Sequence, residues 1–275
     1  MQAQPFDASR RKILITGAGS GLGRALALRY AAAGGAVACA DIVPERAAET
    51  VTMLPGAGHA AFAVDVASDA AFDALRDAVG AWVGADGGID VLVNNAGIAS
   101  GGPLVETSMA EWREVLEINL LGVVRGCRAF LPGMLERGRG QILNIASFAG
   151  LAGAPSIMSY GVSKAGVVAL SEQLRAELHG SGVCVSLACP AFFQTNLLQN
   201  WRGSERMQKA ARRMTERSSD TLDAVADRIF ATAERGDFLI LPTRAEPWRW
   251  RIKRWLPQLY FRRLTRMATV LSRNR

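Results

Sequence analysis

The stretch Lys12–Gly23, KILITGAGSGLG, runs three apolar residues, Ile13 to Ile15, straight into four glycines set two apart, Gly17, Gly19, Gly21 and Gly23. An unbroken apolar run this short reads as a strand buried on both faces. The glycines that follow let the backbone turn tightly and approach a bulky group. Residues 24–35, RALALRYAAAGG, then read as a helix ending in glycines. Residues 36–41, AVACAD, read as a second buried strand. Strand, glycine turn, helix and strand make one βαβ unit whose turn aims a helix N-terminus at an anion such as a pyrophosphate. The backbone from Gly17 to Gly23, with Ser20 and Leu22 between the glycines, is the expected cradle.

Asp41 closes the second strand, 18 residues beyond Gly23. A carboxylate there accepts both hydroxyls of an adenosine ribose and repels a 2′-phosphate, which favours NAD over NADP. Ile42 supplies no cation beside it, although Arg24 and Arg46 lie close enough in sequence to compensate, so NADP stays open.

The alternation continues. Residues 59–66 (HAAFAVDV), 89–97 (IDVLVNNAG), 141–147 (QILNIAS), 183–190 (VCVSLACP) and 237–242 (DFLILP) read as strands. Residues 72–83, 108–134 and 160–178 read as helices between them. Apolar strands separated by helices imply an α/β fold, a single doubly wound parallel sheet of about seven strands with helices on both faces. No linker or repeat interrupts residues 10–243, which are read as one domain, with 244–275 as an extension.

The chain has 275 residues, 49% of them hydrophobic and 21% charged, a globular composition. No apolar run of about 18 residues suggests a membrane span, and the N-terminus lacks an apolar signal core, so a cytoplasmic location is expected. Cys39, Cys127, Cys184 and Cys189 are scattered and only two histidines are present, so neither disulfides nor a metal site is expected. The formal charge is +7, but residues 244–275 hold ten Arg or Lys against one acid, Glu246, a local +9. The remainder is therefore near −2, which argues against nucleic-acid binding by the main body.

With these motifs in order, residues 10–243 resemble the short-chain dehydrogenase/reductase family. Thr16, Gly17, Gly21 and Gly23 match its TGxxxGxG motif, Asp65 and Val66 its adenine-side pair, and Asn94 to Gly97 its NNAG motif. The resemblance implies that Asp65, Val66, Asn94, Ala96 and Gly97 contact the cofactor. It also fills the family's catalytic tetrad, with Asn119 seven residues after Trp112, Ser147 thirteen before Tyr160, and Lys164 four after it. Tyr160 is then the acid/base, Lys164 lowers its pKa and binds the nicotinamide ribose, Ser147 orients the substrate oxygen, and Asn119 holds a relay water. A phenol with pKa near 10 is about 4 kcal/mol from ionising at neutral pH. A cation 4 Å away supplies about 1 kcal/mol in water and about 4 at an effective dielectric near 20. The pair must therefore be sheltered from water. Residues 189–195, CPAFFQT, keep Pro190 and Thr195 of the family's PGxxxT pattern, and with Phe193 they are expected at the nicotinamide, but Ala191 replaces its glycine.

Residues 192–218 stand where the family carries its substrate lid. Phe192, Leu197, Leu198 and Trp201, with Ser147 and Leu151, are expected to line a site for a hydrophobic secondary alcohol or ketone. In the extension, Tyr260, Leu264, Met267 and Leu271 form an apolar stripe with Arg262, Arg263 and Arg266 largely off it, a membrane-surface pattern over residues 248–272 or else a cap or subunit contact. Family resemblance implies a homodimer or homotetramer. An NADP-linked ketoreductase of acyl substrates and a membrane-recruited nucleotide-sensing scaffold remain the alternative readings.

Overall fold

The computed structural model describes residues 11–84, 87–195, 198 and 201–273. Its first half runs β1 (Lys12–Thr16), α1 (Gly21–Ala32), β2 (Ala36–Asp41), α2 (Pro44–Thr52), β3 (Ala60–Ala63), α3 (Asp69–Val83), β4 (Val91–Asn94) and β5 (Ser100–Gly101). A long helix follows, α4 (Met109–Leu116) and α5 (Gly122–Glu136) joined through a π-helical turn at Glu117–Leu121. Then come β6 (Gly140–Ile145), α6 (Phe148–Ala152), α7 (Met158–Glu177), β7 (Val183–Ala188), β8 (Arg202–Gly203), α8 (Glu205–Glu216), α9 (Leu222–Glu234), β9 (Leu239–Ile240), α10 (Glu246–Trp255) and α11 (Pro257–Arg273).

Seven strands form one parallel sheet in the order β3-β2-β1-β4-β6-β7-β9. Successive side chains along a strand point to opposite faces, which explains why the strands carry no polar alternation. Leu14 and Leu92 pack with Phe72 and Leu75 of α3, Phe130 and Met134 of α5 and Val167 of α7. Their neighbours Ile13, Ile15, Val91 and Val93 pack on the other face with Leu26 and Tyr30 of α1 and Ile229 of α9. The strand order reverses between β1 and β4, so a crevice opens beyond their carboxyl ends, the usual ligand position in such sheets.

The expected strands are present but shorter at the sheet edges, where one side has no neighbour to extend the ladder: residues 59–66 contribute β3 and residues 237–242 only β9. α2, α9 and the two-stranded pair β5–β8 had not been read from the sequence. Residues 109–136 have the length and hydropathy of a membrane span. Here one side of that helix, with Val115, Asn119, Val123, Cys127 and Met134, is buried within the fold.

A buried polar chain ties two neighbouring strands, β4 and β6, to α7. Asn94 Nδ2 donates to Asn144 Oδ1 at 2.9 Å, Asn144 Nδ2 to Ser171 Oγ at 3.0 Å, and Ser171 Oγ to the Val167 carbonyl at 2.7 Å. Asn144→Ala strands the buried amide of Asn94, at a cost of about 1–3 kcal/mol. Urea unfolding should show a lower midpoint with an unchanged slope.

Candidate active site

The crevice is laced together at its base. Thr16 Oγ1 accepts from the N–H groups of Asn95 and Ala96 at 3.1 and 3.2 Å, and Asn95 Nδ2 donates to the carbonyls of Thr16 and Gly17 at 2.9 and 3.1 Å. Asn95 had not been assigned to the site, while Asn94 had. Strand periodicity separates them: Asn94, the last residue of β4, turns its amide into the interior to Asn144, and Asn95 faces the glycine turn. The assignment of the Asn94 side chain to cofactor contact is corrected accordingly.

Gly17 and Gly21 take φ values of +66° and +51°. A Cβ on Gly23 would lie 2.1 Å from the Gly17 carbonyl oxygen, and one on Gly19 2.7 Å from Asp41 Oδ2. The turn is thus packed tightly on itself at Gly23 and against Asp41 at Gly19, while at Gly21 only Thr195 comes within 4 Å, which leaves the backbone open for the approach of a pyrophosphate. Ser20 makes no side-chain cap, and no acid stands in the first turn of α1, so the positive end of that helix is open to an anion. The residues present therefore fit a dinucleotide. Leu22 turns inward to the core, contributing backbone only. Asp41 is buried, its Oδ2 accepting from Gly19 N at 2.9 Å and its Oδ1 from Val43 N at 3.0 Å. Ile42 is exposed, and Arg24 is held by the Gly19 carbonyl, Thr50 and Glu49.

Asp65 follows β3 and accepts from Ala67 N, with its side chain exposed, while Val66 is buried against Gly122. Thr195 Oγ1 lies 3.6 Å from where a Cβ on Gly21 would stand, so the loop after β7 reaches the glycine turn. Ala191 needs no glycine: among the described non-glycine residues only Ser156 has a positive φ. The side chain of Phe193 is buried among Leu22, Val225 and their neighbours rather than facing the crevice.

The four expected catalytic residues come from three places in the fold: Asn119 from the π turn, Ser147 from the end of β6, and Tyr160 and Lys164 from α7. Asn119, fully buried in the π turn, accepts from Ile98 N at 2.8 Å and donates to the Ile98 carbonyl at 2.9 Å and Ser163 Oγ at 3.3 Å. Its amide is thus occupied in fixing the chain after NNAG, and no sequence signal distinguished the π turn from ordinary helix. Ser147, at the end of β6, donates to the Pro190 carbonyl at 3.3 Å, accepts from Ala149 N, and hydrogen-bonds Tyr160. Lys164, only 4% exposed, donates to the Ile145 carbonyl at 3.0 Å. A Cβ on Gly97 would lie 2.9 Å from Asn119 Oδ1 and 3.4 Å from Lys164 Nζ, so this glycine lets both groups reach the crevice floor.

Burial pushes the Lys164 ammonium down to about 8, with the Cys189 thiol opposing. Burial also raises the Tyr160 phenol, while its hydrogen bond with Ser147 pulls it down and Cys189 adds a smaller rise. Lys164 is held toward the Ile145 carbonyl, and desolvation of the phenol outweighs every other influence.

On the substrate side, Phe192 is exposed, Leu198 is half-buried with its carbonyl accepting from Gln208, and Leu197 lies outside the described residues. The Leu151 side chain belongs to the core and its carbonyl accepts from Lys253, so the expectation that Leu151 lines the substrate site is corrected. Trp201 seals the base of the lid: its ring would lie 2.7 Å from a Cβ on Gly101, where β5 and β8 pair. One feature had been missed entirely. Glu111 accepts from Ser100 and Ser159, joining β5 to the residue before Tyr160, and Arg202 of the lid pairs with Glu114.

Residues 11–206 match the family described as short chain dehydrogenase. The chain belongs to the short-chain dehydrogenase family. Among curated members, 2-(R)-hydroxypropyl-CoM dehydrogenase of Xanthobacter autotrophicus is 35% identical over 231 residues, covering 81% of this chain and 91% of that protein. The probable oxidoreductase EphD of Mycobacterium tuberculosis is 36% identical over 188 residues, 68% of this chain, which spans only 31% of EphD. Among solved short-chain dehydrogenases, one from Burkholderia phymatum in complex with NAD superposes with a TM-score of 0.84 at 33% identity, covering 92% of this chain and 96% of that one.

Burial of Lys164 also has a thermodynamic signature. Its folded pKa lies below the unfolded value of 10.5, so the unfolded chain binds more protons between pH 8 and 10.5 and stability rises with pH across that window. Below about pH 8 the buried charge costs about 3 kcal/mol. Lys164→Met should therefore unfold at higher denaturant than the wild type at pH 7, and this advantage should vanish by about pH 10.5.

Proposed function

We propose that this short-chain dehydrogenase interconverts a hydrophobic secondary alcohol and its ketone with NAD as cofactor. The convergence of Ser147, Tyr160 and Lys164 at the crevice floor carries the reading, because it supplies a proton donor-acceptor beside a site fitted to a dinucleotide. The relative named for dehydrogenation of 2-(R)-hydroxypropyl-CoM, itself a secondary alcohol, supports the reaction type.

A bound nicotinamide supplies the hydride acceptor or donor. Ser147 orients the substrate oxygen, and Tyr160 accepts its proton as the phenolate in oxidation and returns it as the phenol in reduction. Lys164 binds a ribose hydroxyl near Gly97, and its charge helps Tyr160 ionise once the crevice is closed to water. Asn119 acts by fixing Ile98, and the π turn offers backbone carbonyl groups for a relay water, since such turns interrupt regular helical bonding. Exposed Phe192 and half-buried Leu198 and Trp201 favour an apolar substrate. Tyr160→Phe should lower kcat by about 10²–10⁴-fold with cofactor binding retained. Turnover equal to wild type would instead support the scaffold reading.

Asp41 favours NAD. Its carboxylate is fixed by Gly19 and Val43 with lone pairs left for ribose hydroxyls, and Arg24 beside it is already engaged by the Gly19 carbonyl and Glu49. We expect kcat/KM with NAD to exceed that with NADP by at least about tenfold, and Asp41→Ala to narrow the ratio by a similar factor. A preference for NADP in the wild type would favour the ketoreductase reading.

A further inference from the structure

Helix α10 has two unlike sides. Glu246 and Ile252 are buried, Trp250 packs on the core, and Lys253 donates to the Leu151 carbonyl of α6. At 100° per residue the opposite side carries Trp248, Arg251 and Trp255, at i, i+3 and i+7. Trp248 is 65% exposed and Trp255 78% exposed, with Arg251 and Arg254 exposed beside them. Two indoles open to solvent on one helix face are not explained by packing, because tryptophan is among the most heavily buried residues on average.

Helix α11 continues the pattern in a way the sequence did not reveal. Tyr260 and Leu264, expected on an outward apolar stripe, are half-covered, and Tyr260 lies within electrostatic reach of Arg249 and Glu246, so α11 folds back on α10. The side chains of Met267 and Leu271 lie outside the described residues. What α11 turns outward is Leu259, Phe261, Arg262, Arg263 and Arg266, with Leu256 at the joint. The single acid of residues 244–275, Glu246, is buried and paired with Arg249.

We propose that the outer face of α10 and α11 is a docking surface for anionic phospholipid bilayers. Indole rings set among arginines match the interfacial layer, where an amphipathic ring sits at headgroup level and the guanidinium groups meet lipid phosphates. Each cation near an anionic leaflet contributes to binding, and only a surface of opposite charge answers a local +9. A second copy fits poorly, because an isologous contact would set this charge against itself. A nucleic-acid duplex fits poorly as well, because phosphate contacts need no apolar groups interleaved with the cations. Docking here would leave the inner side of α10, whose Lys253 braces α6 just after Ser147, turned away from the lipid and against the body of the protein.

The test is co-sedimentation of the full chain with vesicles of phosphatidylcholine alone and of phosphatidylcholine mixed with phosphatidylglycerol. Binding is expected only to the anionic vesicles. It should weaken between about 0.1 M and 1 M salt, as the Debye length falls from about 10 to 3 Å. Arg262→Glu/Arg263→Glu/Arg266→Glu should lower bound protein at least about tenfold, and Trp248→Ser/Trp255→Ser should do so too while abolishing the blue shift of tryptophan emission on binding. These side chains are exposed, so the variants should keep the wild-type circular dichroism and unfolding midpoint. The proposal is overturned by absence of sedimentation, by equal binding to neutral vesicles, or by variants that bind like wild type. Displacement from vesicles by a single-stranded oligonucleotide bound more tightly would also overturn it, as would a dimer that the tryptophan pair variant disrupts.

Discussion

Everything at the site depends on the adjacency of β1 and β4 at the point where the sheet order reverses. Neither strand end could shape a crevice alone. Thr16 accepts from Asn95 and Ala96, and Asn95 donates back to Thr16 and Gly17, so the glycine turn and the NNAG segment behave as one rigid floor. From that floor Asp41 is placed on the β2 side and Gly97, Asn119 and Lys164 on the β6 side. The two halves of the site are thus set by the same pair of strand ends.

The site is also where stability and chemistry pull apart. Most of the interior follows the ordinary rule, with apolar side chains on both sheet faces and the buried Asn144 amide accepting from Asn94 and donating to Ser171. Lys164 departs from it: the ammonium is buried with a carbonyl rather than a carboxylate for a partner, and its pKa is depressed in consequence. Such strain concentrates at functional sites because a catalytic group must be held where solution chemistry would not put it. The same burial raises Tyr160, so the electrostatic help of the lysine depends on what occupies the crevice.

The fold was legible because its signals are local and repeated. The run KILIT followed by glycines, the acid ending AVACAD and the apolar strands each report their own position, and together they require a parallel sheet. The tetrad was named by family resemblance, and the structure brings Asn119 and Lys164 together at Gly97. What escaped reading depends on tertiary context. The π turn at Asn119 has no compositional mark, and the β5–β8 pair is two residues wide. Whether Asn94 or Asn95 faces the crevice is a matter of strand phase. In the extension, sequence periodicity located an apolar stripe on α11 but could not show that α10 would cover part of it.

The glycine clearances carry a consequence for how this chain can change over time. A core residue such as Leu14 can shrink and leave a tolerable void, so its variation is graded and reversible. At Gly23, where a methyl group would meet a carbonyl oxygen at 2.1 Å, and at Gly97, where it would meet Asn119 at 2.9 Å, no side chain is smaller and every one is too large. The cofactor seat is therefore defined by omitted atoms, and mutational drift meets a hard wall there. Change is left to exposed surfaces such as those of α8 and the C-terminal helices, which can be rewritten residue by residue.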